Sequence, residues 1–238
     1  MKDKIMSTED AVLQIAMDHV KKVRDFDPYK KFAGIENADQ FCKLIANDPA
    51  FKFFGLDDSR YVTARMGGNL VSSLHRKLGD MYEQIFQYLL KERFGLTDDE
   101  LNFSVDIKIG ERIQKRSTDG LIPAKKYGNI NLPSSLKNWQ SSAGVGFEIR
   151  FCYQIGDSKR IQADWDMALA LSEKNLIPVM LIFCNTSLVS PVTRLAKSWN
   201  LFEGEDTFRF VHELTGFDLY GFFRNHRKFF TDAVHDIL

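Results

Sequence analysis

Two acidic residues and one basic residue in the middle of the chain have the types and spacing to bind a metal ion. Asp119 stands in the stretch STDGLI, and Glu148 stands in GFEIRFC, two positions before Arg150. Successive side chains of an extended chain point to opposite faces, so Glu148 and Arg150 share one face and the apolar residues beside them share the other. The pattern predicts a strand with one apolar face and one charged pair.

Paired carboxylates predict a site for a hard cation. If Asp119 and Glu148 lie on adjacent strands, both carboxylates meet at one edge of the sheet, and the backbone carbonyl of Ile149 completes an oxygen-ligand cage that suits Mg²⁺. A cation held there polarises a phosphodiester and lowers the pKa of an attacking water. We therefore predict that Asp119, Glu148 and Ile149 bind Mg²⁺ and that Arg150 places a fixed positive charge beside the reacting phosphate.

The elements that must position these residues form a mixed α/β order. Alternating or wholly apolar runs predict strands, and apolar residues at helical spacing predict helices. Strands are predicted at 103–109, within 111–122, at 144–152 and at 176–183. Helices are predicted at 7–24, 37–46, 68–94, 158–175, 191–199 and 218–238, with a loop at 47–60. The last strand lacks alternation, which indicates a strand buried on both faces in a mixed sheet flanked by helices.

The motif and its context resemble the PD-(D/E)XK nuclease superfamily, and within it the type II restriction endonucleases. The resemblance covers residues 68–184 and rests on STDGLI, FEIRF and the order helix–β–β–β–helix–β. It implies a three-layer α/β/α fold with a central mixed sheet and additional N- and C-terminal helices. It also implies a sequence-specific, Mg²⁺-dependent endonuclease that hydrolyses double-stranded DNA at a short palindromic site.

The resemblance assigns roles to residues and shows two departures from the family pattern. Asp119 matches the first metal-binding acid, Glu148 matches the second, and Arg150 stands where the family usually has Lys. No Pro precedes Asp119, because Ser117 and Thr118 stand there. Arg does not release its proton at accessible pH, so Arg150 stabilises charge and does not act as a general base.

Glu83 is the match for a further acid of the family, on the helix before the first strand. Many restriction enzymes carry a Glu on this helix that faces the metal cluster, so Glu83 is predicted to be catalytic. Helical spacing places Glu83 away from the apolar stripe of Leu74, Leu78 and Met81. Its side is therefore either a surface that faces the active site or a surface that faces solvent.

The polar connection before the third predicted strand has the composition of a DNA-reading loop. Its Lys side chains suit phosphates, and its amides suit base edges. The residues predicted to contact DNA are Lys125, Lys126, Asn129, Lys137, Asn138 and Gln140. An ordinary polar loop has the same composition and stays open as the alternative.

Composition and length limit the remaining classes. The chain has 238 residues, 44% hydrophobic content and a formal net charge of zero, so it can bury a large core and shows no global attraction to polyanions. No apolar run is long enough for a membrane span, and the three Cys show no zinc or disulfide spacing. We expect one cytoplasmic domain over 1–238, with a helical extension at 1–65, a catalytic core at 66–185 and a C-terminal helical region at 186–238.

Alternatives to this interpretation stay open. Asp119 with Gly120 is also a common turn dipeptide, and Glu148 with Arg150 is also a structural ion pair. Asp164 and Asp166 are interpreted as solvated or salt-bridged. The chain is an inactive DNA-binding module in one alternative and a repair or recombination nuclease in another. The restriction interpretation predicts a homodimer and a companion DNA methyltransferase encoded nearby, which forms no stable complex with this chain.

Overall fold

Polar side chains cap several helices in the first half of this chain. The structure is a computed structural model that describes residues 6–30, 32–109, 111–128, 130, 132–136, 139–154 and 158–235. The side chain of Ser7 caps α1, that of Asn37 caps α2, and that of Asp58 caps α4 by accepting from the backbone N–H groups of Arg60 and Tyr61. The first five helices are α1 Thr8–Arg24, α2 Ala38–Ala46, α3 Pro49–Lys52, α4 Ser59–Phe94 and α5 Asp98–Leu101.

A central sheet of four strands follows these helices. Its spatial order is β3-β4-β5-β6, in which β3 is antiparallel to β4 and the other pairs are parallel. The bounds of its strands are β3 Gly120–Pro123, β4 Gly144–Arg150, β5 Leu176–Ile182 and β6 Asn200–Glu203. The chain is mixed α/β with a mixed sheet, which confirms the predicted class.

Two further strands form a separate hairpin. Within the part of the chain that the structure describes, β1 Ser104–Ile109 and β2 Arg112–Ser117 pair with each other and not with the central sheet. The predicted single run of three strands is therefore wrong at this point. The chain passes from the hairpin to the central sheet between Thr118 and Asp119. The N–H of Thr118 still donates to the carbonyl of Phe103, just before β1, whereas the N–H of Asp119 donates to the carbonyl of Phe147 in β4.

Helices cover both faces of the central sheet. α4 packs on β3 and β4, and α6 Ser158–Glu173 packs on β5 from the opposite face. Val179 and Leu181 of β5 belong to the core on the α4 side, while Met180 and Ile182 belong to the core on the α6 side. This arrangement confirms that β5 is buried on both faces.

The remaining helices complete these layers. α7 Val189–Leu195 follows β5, and α8 Glu205–Thr215 packs against α4 and β6. The predicted helix at 218–238 is two helices within its described part, α9 Leu219–Asn225 and α10 Arg227–His235. A third, smaller core of Phe41, Ile45, Val62 and Met66 joins α2 to the first half of α4.

Asp119, Glu148 and Arg150 lie at one edge of the sheet, which we call the site edge. It consists of the carboxyl ends of β4, β5 and β6 and the amino end of β3. The opposite edge begins at Gly144, which pairs with Pro123. The expected boundary between residues 65 and 66 falls inside α4, so one helix connects the N-terminal helical region to the sheet.

Candidate active site

Asp119 is fixed by the strand that it precedes. Its backbone N–H donates to the carbonyl of Phe147 at 3.0 Å, which extends the β3–β4 ladder by one residue. Its Oδ2 accepts the backbone N–H of Ile149 at 2.7 Å. Two bonds to β4 therefore hold the carboxylate at the site edge, on the strand that carries Glu148.

Glu148 and Arg150 share one face of β4, as the alternation predicts. Phe147 and Ile149 point to the core beneath α4, whereas Glu148 is 6% exposed on the α6 side. A terminal nitrogen of Arg150, Nη2, donates to Oε1 of Glu148. The acid in the middle of an apolar strand is thus buried with a cation as its direct partner.

Asp164 on α6 is the second partner of this cation. The Nη2 of Arg150 donates to Oδ1 of Asp164 at 2.7 Å, and the hydroxyl of Tyr153 donates to Oδ2. Asp164 is 4% exposed. The interpretation of Asp164 as salt-bridged is confirmed, and the interpretation as solvated is wrong, because α6 presses this carboxylate against the charged face of β4.

Glu83 on α4 reaches the same cluster through Gln87, one turn further along the helix. The side-chain N–H of Gln87 donates to Oε1 of Glu83 at 3.0 Å and to the backbone carbonyl of Asp119 at 2.9 Å. The carboxyl of Glu83 also interacts electrostatically with the charges of Asp119 and Arg150. Of the two orientations left open by the sequence, the structure has the one in which Glu83 faces the candidate site.

All three predicted metal ligands contact the guanidinium of Arg150. Its Nη1 donates to the carbonyl of Ile149 at 2.7 Å and lies 3.4 Å from Oδ2 of Asp119, and its Nη2 bonds to Glu148. Among the described residues, no group of three or more His, Cys, Asp or Glu side chains has an arrangement that holds a metal ion. The guanidinium of Arg150 thus lies among the groups that were predicted to bind the metal ion.

Burial shifts the pKa values of the acids that surround Arg150. Burial raises the pKa of Glu148 well above its ordinary value, and burial also raises that of Asp119, although Arg150 opposes both shifts. Burial and the charge of Asp119 raise the pKa of Glu83 to about 7. Burial acts to lower the pKa of Arg150, but Glu148, Asp164 and Asp119 outweigh it and hold that pKa well above its ordinary value.

The donor set fits Mg²⁺ if Arg150 moves. Carboxylate and carbonyl oxygens are the ligands that this cation prefers, and they already converge at one point. Burial raises the pKa of Glu83, Asp119 and Glu148 even though the charge of Arg150 opposes each shift. The Nε of Arg150 is buried without a hydrogen-bond partner among the described residues, so the present position of this side chain leaves one of its donors unused.

The predicted DNA-reading loop lies away from this cluster. Lys125 and Lys126 follow β3 at the opposite edge of the sheet and pair with Glu100 at 2.8 and 3.0 Å. Gln140 lies in the short helical turn Trp139–Ser141 just before β4, also at that edge. Asn129, Lys137 and Asn138 lie outside the described residues. The structure does not bring the described members of this loop together with Asp119 and Glu148.

Asp164, Tyr153 and Gln87 are site residues that the sequence analysis did not assign. One signal for Asp164 was present, because it occupies a position in the buried stripe of α6 formed by Ile161, Ala168 and Leu171. An acid in an apolar stripe is the same signal that identified Glu148 in β4. Gln87 had a weaker signal, since it stands four residues after Glu83 on one helical face.

Comparison of the chain with family models, curated proteins and solved structures finds no match. Among the described residues, the helices are too short or too polar for any of them to cross a lipid bilayer.

Proposed function

We propose that this protein is a sequence-specific, Mg²⁺-dependent endonuclease that hydrolyses double-stranded DNA, with a restriction-endonuclease-like fold. The observation that carries the proposal is the convergence of Asp119, Glu148 and the carbonyl of Ile149 on a single cation at the site edge. These are the three oxygen groups that the motif assigns to the metal. Glu83 beside them supplies the further acid that the resemblance requires.

The order and pairing of the elements support the same proposal. α4 precedes the sheet and carries Glu83, β3 and β4 form an antiparallel pair, and α6 connects β4 to its parallel neighbour β5. This order differs from the helix–β–β–β–helix–β order of the resemblance in two ways. The strand predicted within 111–122 is divided into β2 and β3, and the β1–β2 hairpin stands apart from the central sheet.

The cluster assigns a separate role to each of its residues. Asp119, Glu148 and Ile149 would hold Mg²⁺, which supplies polarisation of the phosphate and a lowered pKa of the attacking water when it is bound. Arg150 has a partner in Asp164 that is not among these ligands. It can therefore leave Asp119 and Glu148, keep one ion pair, and present its free N–H groups to a phosphate oxygen.

A second candidate function is a DNA-binding module without nuclease activity. It is favoured by the same contact, because the guanidinium of Arg150 pairs with Asp119 and Glu148 without a metal. In this candidate Arg150 is a permanent structural cation. The two functions differ in whether Mg²⁺ displaces it.

Digestion of a long DNA of known sequence in the presence of Mg²⁺ tests the proposal. Discrete fragments with defined ends are expected, whereas a smear would indicate a nonspecific nuclease. Uncut DNA that the protein nonetheless binds would favour the binding module.

Isosteric variants connect the activity to the cluster. We expect Asp119→Asn and Glu148→Gln to lower the cleavage rate by about a hundredfold or more while DNA binding persists, because each removes a charged ligand and little volume. Asp166→Asn is the matched control. Asp166 lies on α6, and within the described part of the chain its carboxylate accepts a hydrogen bond from Gln162 and none from the acid cluster or Arg150. Substantial cleavage by Glu148→Gln would contradict the assignment.

The biological partners follow from this proposal. A chain that cuts a short palindrome is expected to act as a homodimer, and a companion methyltransferase is expected to protect the DNA of the same cell. Genomic DNA from the source should therefore resist digestion by the purified protein. Ready digestion of that DNA would contradict the restriction role but not the nuclease chemistry.

A further inference from the structure

One face of α4 connects the candidate active site to a cleft at the other end of the helix. At about 100° per residue, the residues from 65 to 87 that recur every three or four positions fall within an arc of roughly 80°. They are Arg65, Asn69, Ser72, Arg76, Asp80, Glu83 and Gln87. Glu83 and Gln87 belong to the acid cluster, so the same face leads from that cluster toward Arg76 and Arg65.

The far part of this face lines a cleft of about 240 Å³. The cleft lies between α4 and the segment that follows α1, and Arg65, Asn69, Ser72 and Arg76 supply its polar wall. Phe26, Pro28 and Phe32 supply its apolar wall. All four side chains of the polar wall can donate hydrogen bonds, and two of them, Arg65 and Arg76, are cations.

The two arginines of the cleft are not neutralised by acids. Within the part of the chain that the structure describes, neither Arg65 nor Arg76 forms an ion pair with a carboxylate. The one acid of the cleft wall is Asp27, whose Oδ1 already accepts the backbone N–H of Tyr29 at 2.8 Å. Asp80, further along the face, lies 3.8 Å from Lys77. The cleft thus has an excess of positive charge in a protein whose formal net charge is zero.

Arg65 is held in place by aromatic rings. Its guanidinium lies 5.8, 5.3 and 5.7 Å from the ring centroids of Phe32, Phe41 and Phe51. Such contacts fix the orientation of a guanidinium and leave its N–H donors free for an anion. A preorganised cation loses little side-chain entropy when it binds a phosphate.

We propose that the cleft of Arg65, Asn69, Ser72 and Arg76 binds backbone phosphates of duplex DNA on one side of the scissile phosphate; this rests on the proposed function. Arg76 and Arg65 stand seven and eighteen residues before Glu83, which is about 10 and 27 Å along the helix axis. At 3.4 Å per base pair, these distances correspond to contacts roughly three and eight base pairs from the cut. The ligand is the phosphodiester backbone, so the contact is independent of base sequence.

The test measures DNA binding without metal, where cleavage plays no part. Affinity for a labelled duplex of about 30 base pairs is measured by fluorescence anisotropy between 50 and 200 mM salt for the wild type, Arg76→Gln and Arg65→Gln. Each cleft variant should reduce the slope of log K against log salt by about 0.9 and weaken binding about tenfold at 0.1 M salt. Arg76 is exposed, so its variant should fold normally even if Arg65→Gln disturbs the aromatic contacts.

Arg60→Gln is the matched control. Arg60 lies five residues before Arg65, about 140° away around the helix, and is 90% exposed beside Asp58. The control removes the same charge from the same helix and should leave slope and affinity unchanged. Wild-type slopes in both cleft variants would overturn the proposal.

Other results separate this proposal from the proposed function. If the wild type binds DNA and never cuts it, the nuclease function fails, and a reduced slope in Arg76→Gln still supports the cleft. If the wild type does not bind DNA, both proposals are overturned. If inorganic phosphate raises the melting temperature of the wild type and not of Arg76→Gln while the DNA slopes stay equal, the cleft binds free phosphate, and the DNA proposal is overturned.

Discussion

At the scale of single residues, the guanidinium of Arg150 serves several acceptors at the same time. It bonds at once to Glu148, to Asp164 and to the carbonyl of Ile149, and it lies 3.4 Å from Asp119. A planar fork with five N–H donors can serve several acceptors on different sides, whereas an ammonium group has three donors on one atom. The arginine therefore fits a site in which one cation must serve several acids.

Removal of this cation should destabilise the fold. Arg150→Ala leaves Glu148 and Asp164 buried and unpaired, which typically costs about 3–5 kcal/mol of the free energy of unfolding. Arg150→Lys should recover part of this loss, because the charge returns without the fork. Thermal and urea unfolding measure the change.

The pH dependence provides the control for this prediction. Protonated acids do not require a cation, so the loss in Arg150→Ala should shrink as the pH is lowered. An Arg150→Ala variant that melts at the wild-type temperature at neutral pH would show that the acids do not depend on Arg150.

Glu83 should make the protein less stable as the pH rises from about 4.5 to about 7. Burial raises the pKa of Glu83 to about 7 in the folded state from an ordinary value of 4.5. Between these values the folded state binds more protons than the unfolded state, so stability falls as the pH rises from about 4.5 to 7 and stays lower above it. Glu83→Gln should remove this loss and raise the melting temperature more at pH 8 than at pH 5.

The control for this measurement is Glu92→Gln. Glu92 lies on the same helix and is exposed, so its substitution should not change the difference between the two melting temperatures. If Glu83→Gln changed the melting temperature by the same amount at pH 5 and at pH 8, the carboxyl of Glu83 would already be ionised at pH 5.

The parts of the site that the sequence predicts are those that depend on local geometry. The two-residue spacing of Glu148 and Arg150 fixes their common face, and this prediction is confirmed. The contact of Asp164 with Arg150 depends on how α6 returns across the sheet, which no local spacing specifies. The contact of Tyr153 with Asp164 has the same origin. Long-range packing is thus the information that the residue pattern lacks.

At the scale of elements, α4 is longer than its pattern predicts. The predicted helix began at Gly68, the second of two consecutive glycines, whereas the helix begins at Ser59 with Asp58 as its cap. Gly67 and Gly68 have no positive φ, and an added Cβ would meet nothing within 4 Å at either one. The packing of Val62 and Met66 against α2 holds this part of the helix despite the low helix propensity of glycine.

α8 was missed although its buried residues Phe210, Val211 and Leu214 recur at helical spacing. β6 was missed because its own residues carry no strand pattern. β6 has four residues, most of them half-buried, and shows no apolar alternation. It becomes a strand because β5 lies beside it, with Leu201 opposite Met180. Short strands of this kind are specified by their neighbours more than by their own side chains.

Two glycines should respond in opposite ways to the same substitution. Gly67→Ala should raise the free energy of unfolding by about 0.5–1 kcal/mol, because it favours the helix and contacts nothing. Gly144→Ala should lower it by about 1–3 kcal/mol, since the new Cβ would lie 2.6 Å from the carbonyl oxygen of Ile122 and would separate β3 from β4. Urea unfolding of both variants measures the changes. A stable Gly144→Ala would show that β3 moves aside freely, and Asp119 with it.

At the scale of the whole molecule, the two edges of the sheet carry different charges and contacts. The acid cluster lies at the site edge, and the lysines paired with Glu100 lie at the opposite edge. A duplex that follows α4 from the cluster to the cleft of Arg65 and Arg76 runs toward the N-terminal end of that helix. The opposite edge lies at the other end of α4, where Lys126 bonds to the carbonyl of Gly95. The prediction that Lys125, Lys126 and Gln140 contact DNA stays a prediction, and in this geometry it requires a contact separate from the site edge.

The predicted homodimer has a definite stoichiometry on DNA. A palindrome presents the same half-site twice, so two protomers related by a two-fold axis should occupy one duplex. Sedimentation of Glu148→Gln with a duplex that carries the mapped cleavage site should therefore show two protomers per duplex. One protomer per duplex would contradict the dimer and would require each strand to be cut in a separate binding event.

The adjacency of Glu148 and Arg150 also has a consequence for synthesis of the chain. At about 5–20 residues per second, Arg150 leaves the ribosome within a second of Glu148. β5, the parallel neighbour that buries Glu148, ends at Ile182 and is made later than Asp164 on α6. The nascent chain therefore holds both partners of the buried charge before the strand that excludes water from it exists, and the acid never has to enter the core alone.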